Sequence, residues 1–123
     1  MKKILAILIP VFAFLLCLSC DHHEQMGFPK SVYFSKEGGE QVVTGSPIWH
    51  ISIENLDYKK MKETQIDDLT IETQYDWITI TYTASSPDIH LKVAPNTTGK
   101  KRNVIINPYS GADYAIIKVE QGR

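Results

Sequence analysis

The sequence predicts an all-β sandwich of about seven to eight short strands over residues 31–123. Three observations carry that prediction. Runs such as Trp49-His50-Ile51-Ser52-Ile53 and Ile89-His90-Leu91-Lys92-Val93 alternate apolar with polar side chains, and a period of two turns one face of a strand inward. Turn-forming clusters separate these runs by roughly eight to twelve residues, the spacing of sandwiches and barrels. The pattern stays β-like from Ser31 to the end, with no internal repeat or low-complexity segment.

The elements follow in order. Ser31 to Ser35 is a short β-prone run. Glu37-Gly38-Gly39-Glu40 turns the chain, Gln41 to Thr44 is the second strand, and Gly45-Ser46-Pro47 breaks it. In the next strand Trp49 shares parity with Ile51 and Ile53, which directs it to the core. Leu56 to Asp68 is charged, with Tyr58, Met61 and Ile66 at mixed spacing, and reads as an insertion with one helical turn around Tyr58 to Glu63. Leu69 to Thr73 and Trp77 to Tyr82 are strands, Ala84 to Pro87 a loop, and Asp88 to Val93 a strand. Asn96 to Lys101 turns with Gly99. Arg102 to Asn107 is a strand, Pro108 to Asp113 a loop, and Ala115 to Gln121 the closing strand.

The N-terminus predicts an address. Lys2 and Lys3 precede an apolar run from Ile4 to Leu18. That run is shorter than the roughly 20 residues of a membrane span and has the length of a signal-peptide core. Ser19 supplies the small residue that signal peptidase II needs before Cys20, while Cys17 stands where leucine is usual. The expected organisation is a signal peptide at 1–19, a lipidated Cys20 with a flexible tether to residue 30, and one domain at 31–123. The protein would then be lipid-anchored at the cell envelope, on the surface or periplasmic face of an outer membrane. Cleavage removes Cys17 and lipid consumes the Cys20 thiol, so the domain must fold without a disulfide.

Charge excludes one class of partner. Without Lys2 and Lys3, 13 − 2 = 11 Lys and Arg face 14 Asp and Glu, a net of about −3; this is not a nucleic-acid profile. Lys59-Lys60-Met61-Lys62 and Lys100-Lys101-Arg102 are short basic clusters that read as solvated loops. The chain holds no nucleophile elbow, zinc motif or phosphate loop. Asp21-His22-His23-Glu24 has ligand-type residues, but neighbours on a tether cannot preset a coordination geometry. Asp57, Asp67 and Asp68 lack calcium-loop spacing. The expectation is a protein that is not an enzyme and takes no metal or cofactor.

One set of residues adds a resemblance. The Gly38-Gly39 turn, Trp49 and Trp77-Ile78 opening strands, Ala94-Pro95-Asn96-Thr97-Thr98-Gly99 followed by Arg102, and the ending Ile117-Lys118-Val119-Glu120-Gln121-Gly122 together resemble the BACON domain of secreted Bacteroidetes proteins. The resemblance runs from about Ser31 to Gly122, with Leu56 to Asp68 the departure. It implies an immunoglobulin-like sandwich and a link to carbohydrate, drawn from the company the family keeps beside glycan-degrading enzymes.

Candidate ligand residues are loop aromatics, since binding residues concentrate on loops carried by a rigid scaffold. Tyr109 and Tyr114 flank Ser110-Gly111-Ala112-Asp113, a hairpin tip where Asp113 can accept hydroxyl hydrogen bonds; Trp77 and Tyr75 are the next candidates. The expected function is a structural or protein-interaction module tied to the membrane through lipid on Cys20. The alternative is weak capture of a polysaccharide.

Overall fold

The computed structural model describes residues 25–123. The expected signal peptide, Cys20 and the first part of the tether lie outside them.

Ten strands form two sheets. They are β1 (Ser31–Phe34), β2 (Gly39–Ile48), β3 (His50–Ile53), β4 (Met61–Gln65), β5 (Thr70–Tyr75), β6 (Ile78–Thr83), β7 (Ser86–Val93), β8 (Arg102–Ser110), β9 (Asp113–Tyr114) and β10 (Ile117–Gln121). The first sheet runs β1-β10-β8-β3 with β9 added to β8; the second runs β2-β7-β6-β5-β4. Among the described residues only β1 and β10 pair in parallel. The predicted β-sandwich is therefore the fold, with more strands than expected because β4 forms within the expected insertion and β9 begins at the end of the expected loop.

The period of two sets the core. Val32, Phe34, Ile51, Ile53, Val104, Ile106, Ile117 and Val119 face inward from the first sheet. Val43, Ile48, Ile78, Ile80, Tyr82, Ile89, Leu91 and Val93 meet them from the second. Each such side chain contributes about 1.5–3 kcal/mol on burial. The described residues hold no cysteine, so this core and the backbone ladders carry the fold.

Three expectations are corrected. Trp49 is 58% exposed, whereas Ile48 is fully buried. The reason is a change of sheet: Ile48 ends β2 opposite Ser86 in the second sheet, and His50 begins β3 opposite Tyr109 in the first. The chain bends between them, which resets the parity that pointed Trp49 inward. Replacing an exposed tryptophan lacks the several-kcal/mol cost of emptying a core site.

The second correction concerns Gln25 to Lys30, expected to belong to the flexible tether. Met26 and Phe28 are buried, Ser46 N–H donates to the Met26 carbonyl at 2.8 Å, and the Gln25 amide nitrogen donates to the Ile116 carbonyl at 2.9 Å. The Phe28 ring lies where a Cβ on Gly45 would stand, 2.6 Å from it. Gly45 is thus the seat of an apolar plug, at the register shift between Thr44 and Ile48.

The third concerns Leu56 to Asp68. One 3-10 turn, Tyr58–Lys60, is capped by the Asp57 carboxylate, which accepts from Lys59 N–H. The chain then becomes β4, an edge strand paired with β5 from Met61↔Tyr75 to Gln65↔Ile71. Backbone pairing, not an apolar stripe, makes this strand, and its charged residues suit an edge. The following turn is held by Asp67, whose Oδ1 accepts from Leu69 and Thr70 N–H at 2.9 and 2.8 Å. Those donors hold its carboxyl below the usual carboxylate range.

Candidate functional site

The structure sets Tyr109 and Tyr114 opposite each other. Ser110-Gly111-Ala112-Asp113 is a two-residue hairpin loop with Gly111 at φ +61°, the position where a type II′ turn places glycine. That turn sets Tyr109 directly opposite Tyr114 and Ser110 opposite Asp113. Tyr109 is half-buried, and Tyr114 is 55% exposed. A shallow groove of about 450 Å³ runs past them, lined also by Ser52, Glu54, Asn107, Asp113 and Ile116.

A chain of rings fixes Tyr109. It meets His50 edge-on, with centroids 5.5 Å apart. His50 Nδ1 and the Tyr82 hydroxyl hydrogen-bond at 2.8 Å. Tyr82 is rooted in the core, and burial pushes its phenol up from the ordinary tyrosine value. One ring of the pair is therefore placed by the core, and its exposed partner is placed by the hairpin.

Trp77 and Tyr75 lie elsewhere and have structural contacts. The Arg102 guanidinium stands 4.6 Å above the Trp77 ring, a cation–π arrangement. The Tyr75 hydroxyl accepts from Asp57 N–H at 3.0 Å and so pins the 3-10 turn. They share a smaller groove of about 270 Å³ with Lys60, Asp76 and Asn103; Glu54 lines this groove and the tyrosine groove alike.

The sequence motif around Arg102 turns inward. Gln121 is 1% exposed. Its amide nitrogen donates to the Ser35 and Ala94 carbonyls at 3.1 and 2.9 Å, and its oxygen accepts from Arg102 Nε at 2.7 Å. Asn96, also buried, donates to the Lys100 and Gly122 carbonyls and accepts from Thr98. These residues staple the 94–102 segment to the C-terminal ends of β1 and β10, which satisfies backbone carbonyls that no ladder reaches.

A larger concavity escaped sequence reasoning. The outer face of the second sheet holds a groove of about 680 Å³. Thr79, Thr81 and Thr83 of β6 line it with Glu72 of β5 and Asp88, His90 and Lys92 of β7. The threonines and Glu72 are half-buried, as sheet twist makes the surface concave. Some hydroxyls are paired: Thr44 donates to Asp88 at 2.7 Å, and Thr70 and Thr83 share a bond of 2.8 Å. Alternation marked these residues as the outward face, but curvature depends on long-range pairing that a sequence pattern does not display. Among the described residues no group of three or more His, Cys, Asp or Glu is placed to hold a metal ion.

Fold and surfaces together define a small β-sandwich module with a stapled interior and open grooves. Residues 67–122 match the model of the BACON family, described as "Putative binding domain, N-terminal"; the expected resemblance is borne out over that stretch. Among solved structures, a Bacteroides ovatus GH5 xyloglucanase in complex with a XXXG heptasaccharide is 21% identical. The match covers 76% of this chain and 17% of that one, with a TM-score of 0.47. A Bacteroides thetaiotaomicron protein solved by NMR is 14% identical over 79% of this chain and 83% of that one, with a TM-score of 0.48. No curated protein matches the chain.

Proposed function

We propose that the protein is a lipoprotein of the cell envelope, cleaved before Cys20 and held by lipid on that cysteine, whose domain acts as a non-catalytic interaction module. The observation that supports this reading is the curved outer face of the second sheet. It offers hydroxyls, carboxylates, an imidazole and an ammonium in one groove, with no exposed aromatic ring in it. Such a surface suits a polar segment of a protein partner more than a sugar ring, which favours an aromatic platform. The signature residues Asn96, Arg102 and Gln121 are consumed internally, which leaves recognition to surfaces of this kind.

A photo-reactive residue at His90 tests it in cells. The expected result is a discrete protein adduct from position 90, lost when Thr81→Arg fills the groove, with none from the exposed position 58. No adduct at position 90, or one indifferent to Thr81→Arg, would contradict the reading.

The tyrosine pair favours a second reading, weak glycan capture. Two adjacent rings with Asp113 and Asn107 beside them provide stacking and hydrogen-bonding groups, and a shallow groove buries little ligand, so affinity would be low. In affinity gels, the unlipidated mature chain would be retarded by some host or plant polysaccharide. Tyr109→Ala with Tyr114→Ala would abolish that retardation with the far-UV spectrum unchanged. Absence of retardation across a panel of polysaccharides would remove this reading.

A further inference from the structure

Eight large apolar side chains stay exposed in the described chain, and five of them, Trp49, Ile66, Leu69, Tyr114 and Ile116, lie at one end of the sandwich. Backbone bonds tie their loops into a continuous rim. Ala84 N–H donates to the Leu69 carbonyl at 2.8 Å, Ser85 N–H to Ile48 at 2.6 Å, and Trp49 N–H to Tyr109 at 3.0 Å. Tyr109 in turn pairs with Tyr114. The rim ends where the described chain begins, since the Gln25 amide is bonded to the Ile116 carbonyl.

We propose that this rim rests on the interface of a zwitterionic phospholipid bilayer. The proposal depends on the lipid at Cys20 put forward above. Five residue steps separate Cys20 from Gln25, and an extended chain spans at most about 3.6 Å per residue, or roughly 18 Å in all. A lipidated Cys20 lies at the membrane surface, so the end of the sandwich that holds Gln25 is the end kept within that reach. Tryptophan and tyrosine suit the headgroup layer, with an apolar body and a polar tip. Isoleucine and leucine beside them gain by leaving water. Exposed apolar side chains gathered at the end next to a lipid anchor suit a membrane interface.

Charge selects the lipid. Asp67 and Asp68 lie between Ile66 and Leu69, and Asp113 precedes Tyr114. These carboxylates would be repelled by acidic headgroups, so apolar contact with a neutral interface is the driving force. Docked in this way, Tyr114 meets lipid, while the polar face of the second sheet rises along the side and stays open to a partner.

The mature lipidated protein in phosphatidylcholine vesicles with brominated acyl chains tests the proposal. Trp49 emission, taken as the difference between the native protein and Trp49→Phe, should shift to the blue and be mostly quenched. Trp77 reports from the opposite end, beyond the six residues of β6, about 20 Å at the rise of a strand, and should be unaffected. Ile66→Ser with Leu69→Ser should reduce Trp49 quenching while the protein still floats with the vesicles. Flotation with Trp49 unquenched would overturn docking and leave the anchor standing. Failure to float would remove the anchor, and docking with it. Quenching that needs acidic lipid, or retention of polysaccharide by the floated protein that depends on Tyr114, would also overturn the proposal.

Discussion

Gln121→Ala should lower stability by about 3–4 kcal/mol, the sum of a buried cavity and unpaired polar groups. Four groups depend on this side chain. It donates to the Ser35 and Ala94 carbonyls and, at 3.5 Å, to Lys36, and it accepts from Arg102 Nε. Alanine leaves these groups without it, in a site that is 1% exposed. For a domain of about 100 residues, 4–8 °C per kcal/mol places the drop in melting temperature at roughly 12–32 °C. Gln121→Glu keeps the acceptor for Arg102 but loses all three donated bonds, so it should recover only part of the loss. Thermal unfolding followed by circular dichroism measures both. A loss below about 1 kcal/mol for alanine would mean that the staple is dispensable.

Gly38→Ala is expected to cost about 2–4 kcal/mol, through strain added to a clash. Gly38 sits at φ +79°, and a Cβ there would overlap the Val93 carbonyl oxygen and stand 2.9 Å from the Ala94 carbonyl carbon. Both obstacles are backbone, at the end of β7 and the start of the segment that the staple holds. Gly99 is the control. Its φ is +76°, but nothing stands within 4 Å of its would-be Cβ, so Gly99→Ala should show the strain alone, about 1 kcal/mol. Denaturant titration of the two variants separates the terms. Equal losses would mean that the Gly38 turn yields to relieve the contact.

Much of this fold was legible because its strands obey a period of two. Ile89, Leu91 and Val93 are buried and His90 and Lys92 exposed, as their alternation dictates. The same holds for Val32 and Phe34 against Ser31 and Tyr33. Legibility failed where the chain changes partners. Trp49 keeps the parity of Ile51 in sequence, yet the bend between two sheets turns it outward. Met61 to Gln65 lack any buried residue and form a strand only because β5 offers a free edge. Met26 and Phe28 look like tether residues, and the space for the Phe28 ring comes from Gly45, distant in sequence.

Local chemistry made one candidate site legible. Tyr109 and Tyr114 flank Ser110 to Asp113 in the sequence, and they face each other because the turn between β8 and β9 is two residues long, shorter than the expected Pro108 to Asp113 loop. The inward role of Arg102 and Gln121 was not legible. They are 19 residues apart and meet only because β8 and β10 are neighbours in register, Gln121 opposite Arg102. The rim at the Gln25 end was hidden for the same reason, since Ile66, Trp49 and Ile116 come from three separate loops.

Intact mass spectrometry of the protein extracted from membranes tests the central claim most directly. The account predicts a mature chain that begins at Cys20 and carries diacylglycerol on its sulfur, with a further acyl chain on its amine, since one chain alone anchors only marginally. Cys20→Ala should then retain residues 1–19 and carry no lipid. A mature native chain that begins at another residue, or that carries an unmodified Cys20, would contradict the account.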